Sequence, residues 1–356
     1  MRILFLVPWP DQSGPFRFRI GQYLPFLQLN GIDYEIRPFM SPEFFEIVYR
    51  KGHTVGKLAH FMESCAGRFL DTLRARKHDL LFIQREVFPY GPALLERILS
   101  LWNRPIVFDF DDAIYLPASH SPNKSLAWLK CPSKTATTVR LATRVIVGNS
   151  VLEQYARRIN PNVVVLPTPV DTDEIRPREN VPKQDKVTIG WTGSPSTVAY
   201  LHGLDSVFQE ISRHYPIRVE VYGGLYHCEG VETRSTPEWT RTGELDALNR
   251  FDIGVMPLTD DEWTRGKCGF KILEYMAAGI PTVASAVGAN NEIVMAGSTG
   301  LLASTQSEWI DHLETLLGNP RLRSEMGANG RFRAVQEYSV QVNAPKFLDA
   351  LQIYRS

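Results

Sequence analysis

The sequence predicts an α/β chain made of two doubly wound parallel-sheet domains. Short apolar strands alternate with helical stretches, and the alternation runs through once and then restarts. Between the two runs lies Pro167–Pro182, which is polar, proline-rich and without periodicity, as interdomain linkers are. A length of 356 residues also exceeds what one ordinary hydrophobic core organises. The expected domains are 1–170 and 171–339, and a last helix over about 340–356, with its own apolar stripe, is expected to pack back on the first.

The elements follow in order. Ile3–Val7, Tyr34–Arg37, Leu80–Gln84, Ile106–Phe110, Val145–Val147 and Val163–Leu166 are apolar runs of strand length. Ile20–Leu29, Thr54–Ala75, Leu94–Leu101 and Leu152–Ile159 have helical spacing and good helix formers. The second run opens with strand Val187–Trp191, then helical Leu204–Glu210, and strands Ile217–Tyr222, Ile253–Met256, Thr282–Ala284 and Leu301–Leu302. The final helix is expected over Val342–Tyr354. Two such domains facing each other would present ligands at the carboxyl ends of their strands.

Composition narrows the function classes. A 44% hydrophobic and 22% charged content is that of a soluble globular protein, and no apolar run approaches the roughly 20 residues of a membrane span. The apolar start is too short for a secretory h-region and no small-residue cleavage site follows it. Cys65, Cys131, Cys228 and Cys268 are scattered, which fits reduced thiols in a cytoplasm. No cysteine or histidine spacing suggests a metal, so none is expected. The zero net charge conceals an asymmetry. Residues 1–170 carry 21 Lys and Arg against 14 Asp and Glu, and residues 171–356 carry 18 against 25. A basic half suits an anionic partner, a phosphate, an acidic acceptor or a membrane surface; mutual attraction of the two halves explains it equally. The basic excess is diffuse and lacks an aromatic-basic stripe, so nucleic acid is not expected.

The chemistry is expected at the glycine loops. Arg265-Gly-Lys-Cys-Gly-Phe-Lys-Ile-Leu-Glu-Tyr-Met-Ala-Ala-Gly279 reads as a loop, a buried helix stopped at Gly279, and then a strand. Arg265, Lys267 and Lys271 gather where a helix start is already positive, an unfavourable placement unless an anion binds. Lys271 and Glu274 share a helix face. The alternative is that Asp260, Asp261 and Glu262 neutralise these cations. A second loop, Gly190-Trp-Thr-Gly-Ser-Pro-Ser-Thr197, follows a buried strand, so Gly193 and Ser194 can let a diphosphate approach the backbone. In the first domain, Arg17 and Arg19 are expected at a helix start after Gly14, and suggest an anion or simply a solvated surface. Gln84-Arg85-Glu86 ends a strand, where Arg85 either contacts an acceptor or pairs with Glu86. Asp109-Phe-Asp111-Asp112 ends another, read as acceptor hydroxyl binding or helix capping in preference to metal. Asn149 is expected as a helix N-cap.

Gly269–Ser285, the Gly190–Thr197 loop and the Pro167–Asp171 linker resemble the retaining glycosyltransferases of family 4, which have the GT-B fold of two facing Rossmann-like domains. Helix and strand order agrees with that family over almost the whole chain. The resemblance implies that Glu274, at the second glutamate of the family's signature, holds the ribose hydroxyls of a nucleotide sugar. A carboxylate suits two vicinal hydroxyls, since charge-assisted hydrogen bonds are the stronger kind. Gly269 and Phe270 open the signature helix on the donor side, and Gly14 lies in the loop near donor sugar and acceptor. Two positions depart from the family. The first signature glutamate falls at Gly266, and the Arg and Lys that usually follow the first strand of the second domain are missing from Gly193–Tyr200. Arg265, Lys267 and Lys271 are expected to take over neutralisation of the diphosphate, and Asp261 or Glu262 to replace the lost carboxylate.

The implied activity is retaining transfer of a sugar from a UDP- or GDP-linked donor to an acceptor hydroxyl. The nucleotide sugar is a co-substrate, and no cofactor is expected. The donor phosphate itself would take the acceptor proton, so no protein base is required. The acceptor would be a glycan, lipid-linked or small, met by Arg17, Arg19, Arg85, Asp111 and Asp112, in a cytoplasmic protein that can touch an anionic membrane. Two alternatives share the fold: a nucleotide-sugar epimerase, and a nucleotide-sugar-binding protein with a decayed site.

Overall fold

The computed structural model describes residues 1–48, 50, 52–117, 131–178 and 185–352. They fall into two compact units, Met1–Thr168 with Asn343–Ser356, and Pro169–Val342.

The first unit is built on β1 (Arg2–Val7), β2 (Asp33–Pro38), β3 (Leu80–Gln84), β4 (Ile106–Phe110), β5 (Arg144–Val147) and β6 (Val163–Val165). All pair in parallel in the order β2-β1-β3-β4-β5-β6. Every residue of β3 and β4 is buried, as parallel strands covered on both faces must be. Strand order reverses between β1 and β3, and such a reversal opens a crevice at the carboxyl ends.

The helix expected over Ile20–Leu29 is corrected to two pieces, a 3₁₀ turn at Gly21–Tyr23 and Leu24–Leu29, preceded by a separate helix Gly14–Arg19. Pro25 sits in the first turn of the last piece, where its missing N–H costs nothing, so the chain restarts a helix there. The C-terminal helix runs Val340–Leu351, and the expected continuation through Tyr354 lies outside the described residues. Phe347 stacks on Tyr23 at 4.3 Å and packs against Phe82 at 5.7 Å, while Arg144 donates to the Asp349 carbonyl.

The second unit carries β7 (Val187–Thr192), β8 (Ile217–Tyr222), β9 (Thr233–Thr236), β10 (Ile253–Met256), β11 (Thr282–Ser285) and β12 (Gly300–Ala303). These are again all parallel, in the order β12-β11-β10-β7-β8-β9. The reversal here lies between β7 and β10, the strands that precede the two glycine loops. One core cluster contains Trp191, Phe208 and Leu313, and the other Phe251, Ile272 and Tyr275. The stretch expected as a free linker is partly structured. Val170 bridges Ser339, and Ile175 is buried in the second cluster; its residues 179–182 lie outside the described residues.

Candidate functional site

In the second unit, β7 delivers Trp191, Thr192 and Gly193 in succession to the reversal point. The helix Phe270–Ala277 packs over them. Lys271 places its ammonium 5.1 Å from the centre of the Trp191 ring, and its stem crosses the Gly193 backbone: a Cβ on Gly193 would stand 2.9 Å from Lys271 Cε and collide with the indole. One turn on, Glu274 is buried, its Oε2 3.5 Å from the Thr192 hydroxyl that donates to it. Tyr275 fixes the strand end from below, its phenol oxygen accepting from Thr192 N–H at 3.0 Å. Lys271, Glu274 and Gly193 are thus brought together. Ser194 lies in the same loop and closes a capping box with Thr197, which leaves it exposed.

The end of β8 completes this wall. Gly223, at φ 87°, lies so close that a Cβ on it would strike the Gly193 carbonyl oxygen. Both the positive φ and the contact demand glycine. Gly223→Ala is expected to lower stability by about 1–3 kcal/mol, the usual cost of overpacking, and to displace the Gly193 loop. A urea midpoint equal to wild type would show that the loop yields freely.

Arg241, which the sequence reading missed, is a second cation of this site. It occupies the first turn of the helix Arg241–Leu248, whose N-cap Thr240 accepts from Gly243 N–H. It pairs with Glu174, with Glu244 at 2.8 Å, and stands 3.8 Å from Glu274. Burial opposes its charge, but Glu174, Glu274 and Glu244 outweigh that and push its pKa up. The signal was available: a cation in a helix's first turn, the same oddity that drew attention to Arg265.

For Arg265 the premise is corrected. It does not open the buried helix; it ends a separate one-turn helix, Glu262–Arg265, capped by Asp261. A cation is favourable at a C-terminal end, and Arg265 there forms a two-pronged pair with Asp260, at 2.6 and 3.1 Å. Both are exposed. Asp261 holds Thr264 N–H and the Thr259 hydroxyl, so its carboxylate is engaged in capping. Glu262 is exposed in the first turn. Lys267 sits 5.6 Å over the Trp263 ring. Gly269, at φ 62°, is the N-cap of the signature helix and supplies no side-chain cap, and Phe270 begins the helix.

The first unit gathers a second cluster at the ends of β3 and β4. Arg85 takes φ 60°, a left-handed conformation that costs a non-glycine residue about 1–2 kcal/mol. It is held there by Asp111 at 2.7 Å and Asp112 at 2.6 Å, and its guanidinium lies 5.1 Å over Trp9. The expected alternative partner, Glu86, instead lies 3.7 Å from Lys134. Burial opposes ionisation of Asp111, but Arg85 and Arg19 together hold its pKa below the usual range.

Two expectations fail here. Arg17 and Arg19 lie in the last turn of Gly14–Arg19, where cations are favourable, and Gly14 begins that helix behind the cap Ser13. Arg19 faces no acceptor: it is 2% exposed, paired with Asp109 at 2.7 Å and donating to the Leu166 carbonyl. Arg17 lies against the Phe18 ring. Asn149 caps Ser150–Arg157 as expected, accepting from Leu152 N–H.

A cavity of about 740 Å³ lies at the opposite, amino-terminal edge of the second sheet, between Pro177, Phe251, Pro281 and Arg331. Among the described residues no three His, Cys, Asp or Glu side chains gather as a metal site.

Fold and site together define a protein of the GT-B fold, two six-stranded parallel sheets with glycine loops at a strand-order reversal. Residues 186–319 match the family described as glycosyl transferases group 1. It is 22% identical over 174 residues to trehalose synthase of Pyrococcus horikoshii, covering 49% of this chain and 37% of that protein. It is 34% identical over 85 residues to D-inositol 3-phosphate glycosyltransferase of Pseudarthrobacter chlorophenolicus, 23% of this chain and 19% of that one. The matches therefore span well under half of these relatives. Among solved structures, a glycosyltransferase from Rickettsia africae superimposes with a TM-score of 0.71 at 13% identity, covering 100% and 99% of the two chains. Anabaena HepE in complex with UDP and glucose superimposes with 0.67 at 15% identity, covering 99% of each.

Proposed function

We propose that the protein is a retaining glycosyltransferase that moves a sugar from a UDP- or GDP-linked donor to an acceptor hydroxyl. The convergence of Gly193, Lys271 and Glu274 at the reversal point of the second sheet carries this reading. The diphosphate lies against the Gly193–Ser194 loop and the start of the helix at Gly269 and Phe270. Glu274 receives the ribose hydroxyls. Lys267 and Lys271 absorb the charge that grows on the departing nucleoside diphosphate, with Arg265 at the margin, and the cations and backbone N–H groups do this without a metal. The donor phosphate takes the acceptor proton as the new glycosidic bond forms. The Arg85, Asp111 and Asp112 cluster is the acceptor side. The complexes of HepE with UDP and with UDP-glucose support a nucleotide-sugar donor, and the TarM structure with a sugar-glycerol and UDP supports a glycan-type acceptor. We place the chain in family 4 and in the cytoplasm.

Lys267→Ala is expected to lower kcat tenfold to a thousandfold, by analogy with removal of one oxyanion donor. Steady-state transfer assays check this, and an unchanged turnover in a folded variant removes Lys267 from the mechanism. Gly266 favours a second reading, a nucleotide-sugar-binding protein without turnover, because Asp261 is engaged as a cap and leaves Glu262 as the sole nearby replacement proposed for the lost carboxylate. Tight nucleotide binding with neither transfer nor hydrolysis would select it.

A further inference from the structure

The helix Thr54–Arg74 in the first unit packs inward through Phe61, against Phe39, Phe88 and Tyr90, and otherwise turns a polar face to the core. Its buried residues are Arg68, Asp71 and Thr72. Arg68 donates to the Val7 carbonyl and lies 4.0 Å from Asp71, and Thr72 accepts the Trp102 indole N–H through its carbonyl. The outward face carries Val55, Leu58, Met62, Phe69, Leu70 and Leu73, each between 46% and 84% exposed. These are six of the fourteen large apolar side chains exposed among the described residues. They repeat at helical spacing, so they form one stripe about 27 Å long. A soluble helix turns such a stripe inward, and contiguous exposed apolar surface marks an interaction site.

Charge decides what covers it. Glu63 is the acidic residue exposed within the helix. Exposed Arg74, Arg76 and Lys77 follow the stripe at one end, ahead of exposed Asp79 and with Arg74 3.6 Å from the buried Asp71. Exposed Arg50 precedes it at the other, after exposed Glu43 and Glu46. The stretch 1–170 as a whole is basic, 21 Lys and Arg against 14 Asp and Glu. A second copy docked stripe to stripe in the parallel sense would set Arg74, Arg76 and Lys77 against their own copies, an unfavourable juxtaposition. An anionic bilayer surface complements both features, taking the apolar side chains into its interface and the cations among its headgroups.

We propose that Thr54–Arg74 is a membrane-docking helix that seats the first unit on anionic lipid. Val55, Leu58, Met62, Phe69 and Leu73 enter the headgroup–acyl boundary, and Arg74, Arg76 and Lys77 contact lipid phosphates. Among the described residues no helix is long and apolar enough to cross a membrane, so the contact is peripheral. This surface stands independently of the proposed transferase activity.

The test is vesicle flotation of the full chain, with phosphatidylcholine alone and with phosphatidylcholine and phosphatidylglycerol in equal parts. Wild type should float with the anionic vesicles, less so at high salt. The double variant Met62→Glu, Phe69→Glu alters only exposed positions. It should lose roughly a hundredfold in partition coefficient, with an unchanged thermal midpoint in the absence of vesicles. The variant Arg74→Gln, Lys77→Gln should lose binding to the anionic vesicles by less. Failure of wild type to float, or equal flotation of the Glu variant, overturns the proposal. So does a wild-type dimer in sedimentation that the Glu variant converts to monomer, since the stripe would then be covered by a second copy. Because flotation needs no donor or acceptor, its failure is distinct from failure of the transfer assay.

Discussion

Glu274→Gln is expected to abolish nucleotide-dependent thermal stabilisation while leaving the free protein's melting point within a few degrees of wild type. In the wild type, the matching nucleotide or nucleotide sugar at about a hundred times its Kd should stabilise the fold by roughly 2.7 kcal/mol, a shift of a few degrees for a chain of this size. The substitution keeps shape and removes charge. Each hydrogen bond to a charged group contributes about 1.5–3 kcal/mol, and a carboxylate holding two vicinal hydroxyls makes two of them. A weakening of about a hundredfold or more is therefore expected. The fold should tolerate the change because Arg241, 3.8 Å from Glu274, keeps Glu174 and Glu244. A panel of nucleoside diphosphates and nucleotide sugars, melted with both proteins, checks this and identifies the base. An equal shift in Glu274→Gln would remove Glu274 from the donor site. No shift in the wild type with any of them would undo the phosphate reading and leave the Arg265–Asp260 pair as surface electrostatics.

What the sequence made legible follows from what periodicity and punctuation encode. Buried parallel strands are apolar runs, so β1, β3, β7 and β10 could be read directly. Edge strand β9, Thr-Arg-Ser-Thr at 233–236, is polar and partly exposed, and carries no such run. Gly279 and Pro281 announce the end of the signature helix, and the structure stops it there, with Gly279 at φ 69°. The one-turn helix Glu262–Arg265 is shorter than any period, so Arg265 was assigned to the wrong helix end. Arg85's left-handed backbone depends on Asp111 and Asp112, which are more than two dozen residues away in sequence, and no local pattern reports it. Helix Thr54–Arg74 shows the limit most plainly. Spacing establishes that a helix exists, but which of its faces is buried was settled by Val7, Trp102 and Arg37 reaching its polar side.

Arg19→Met is expected to destabilise the first unit by about 3–5 kcal/mol at neutral pH, the cost of leaving one partner of a buried pair uncompensated. Arg19 and Asp109 are both almost fully buried, and Arg19 also donates to the carbonyl of Leu166, tying the helix Gly14–Arg19 to the ends of β4 and β6. Burial already holds the Asp109 pKa above its ordinary value, even against the attraction of Arg19. Without that cation it rises further. A carboxyl whose folded-state pKa lies above its unfolded one favours folding most at low pH and loses that contribution as pH climbs past the unfolded value, about 3.9. The deficit of Arg19→Met relative to wild type should therefore shrink as pH falls toward about 4. Urea denaturation across that range tests it, and a pH-independent deficit would assign the loss to packing alone. The double variant Arg19→Met, Asp109→Asn should recover much of the stability, since replacing both members of a buried pair is often close to neutral. The same arginine helps to keep Asp111 ionised, and Asp111 holds Arg85 in its strained conformation. If the Arg85 cluster meets the acceptor, the double variant should restore folding without restoring full transfer. Recovery of both would mean that Arg19 serves only the core.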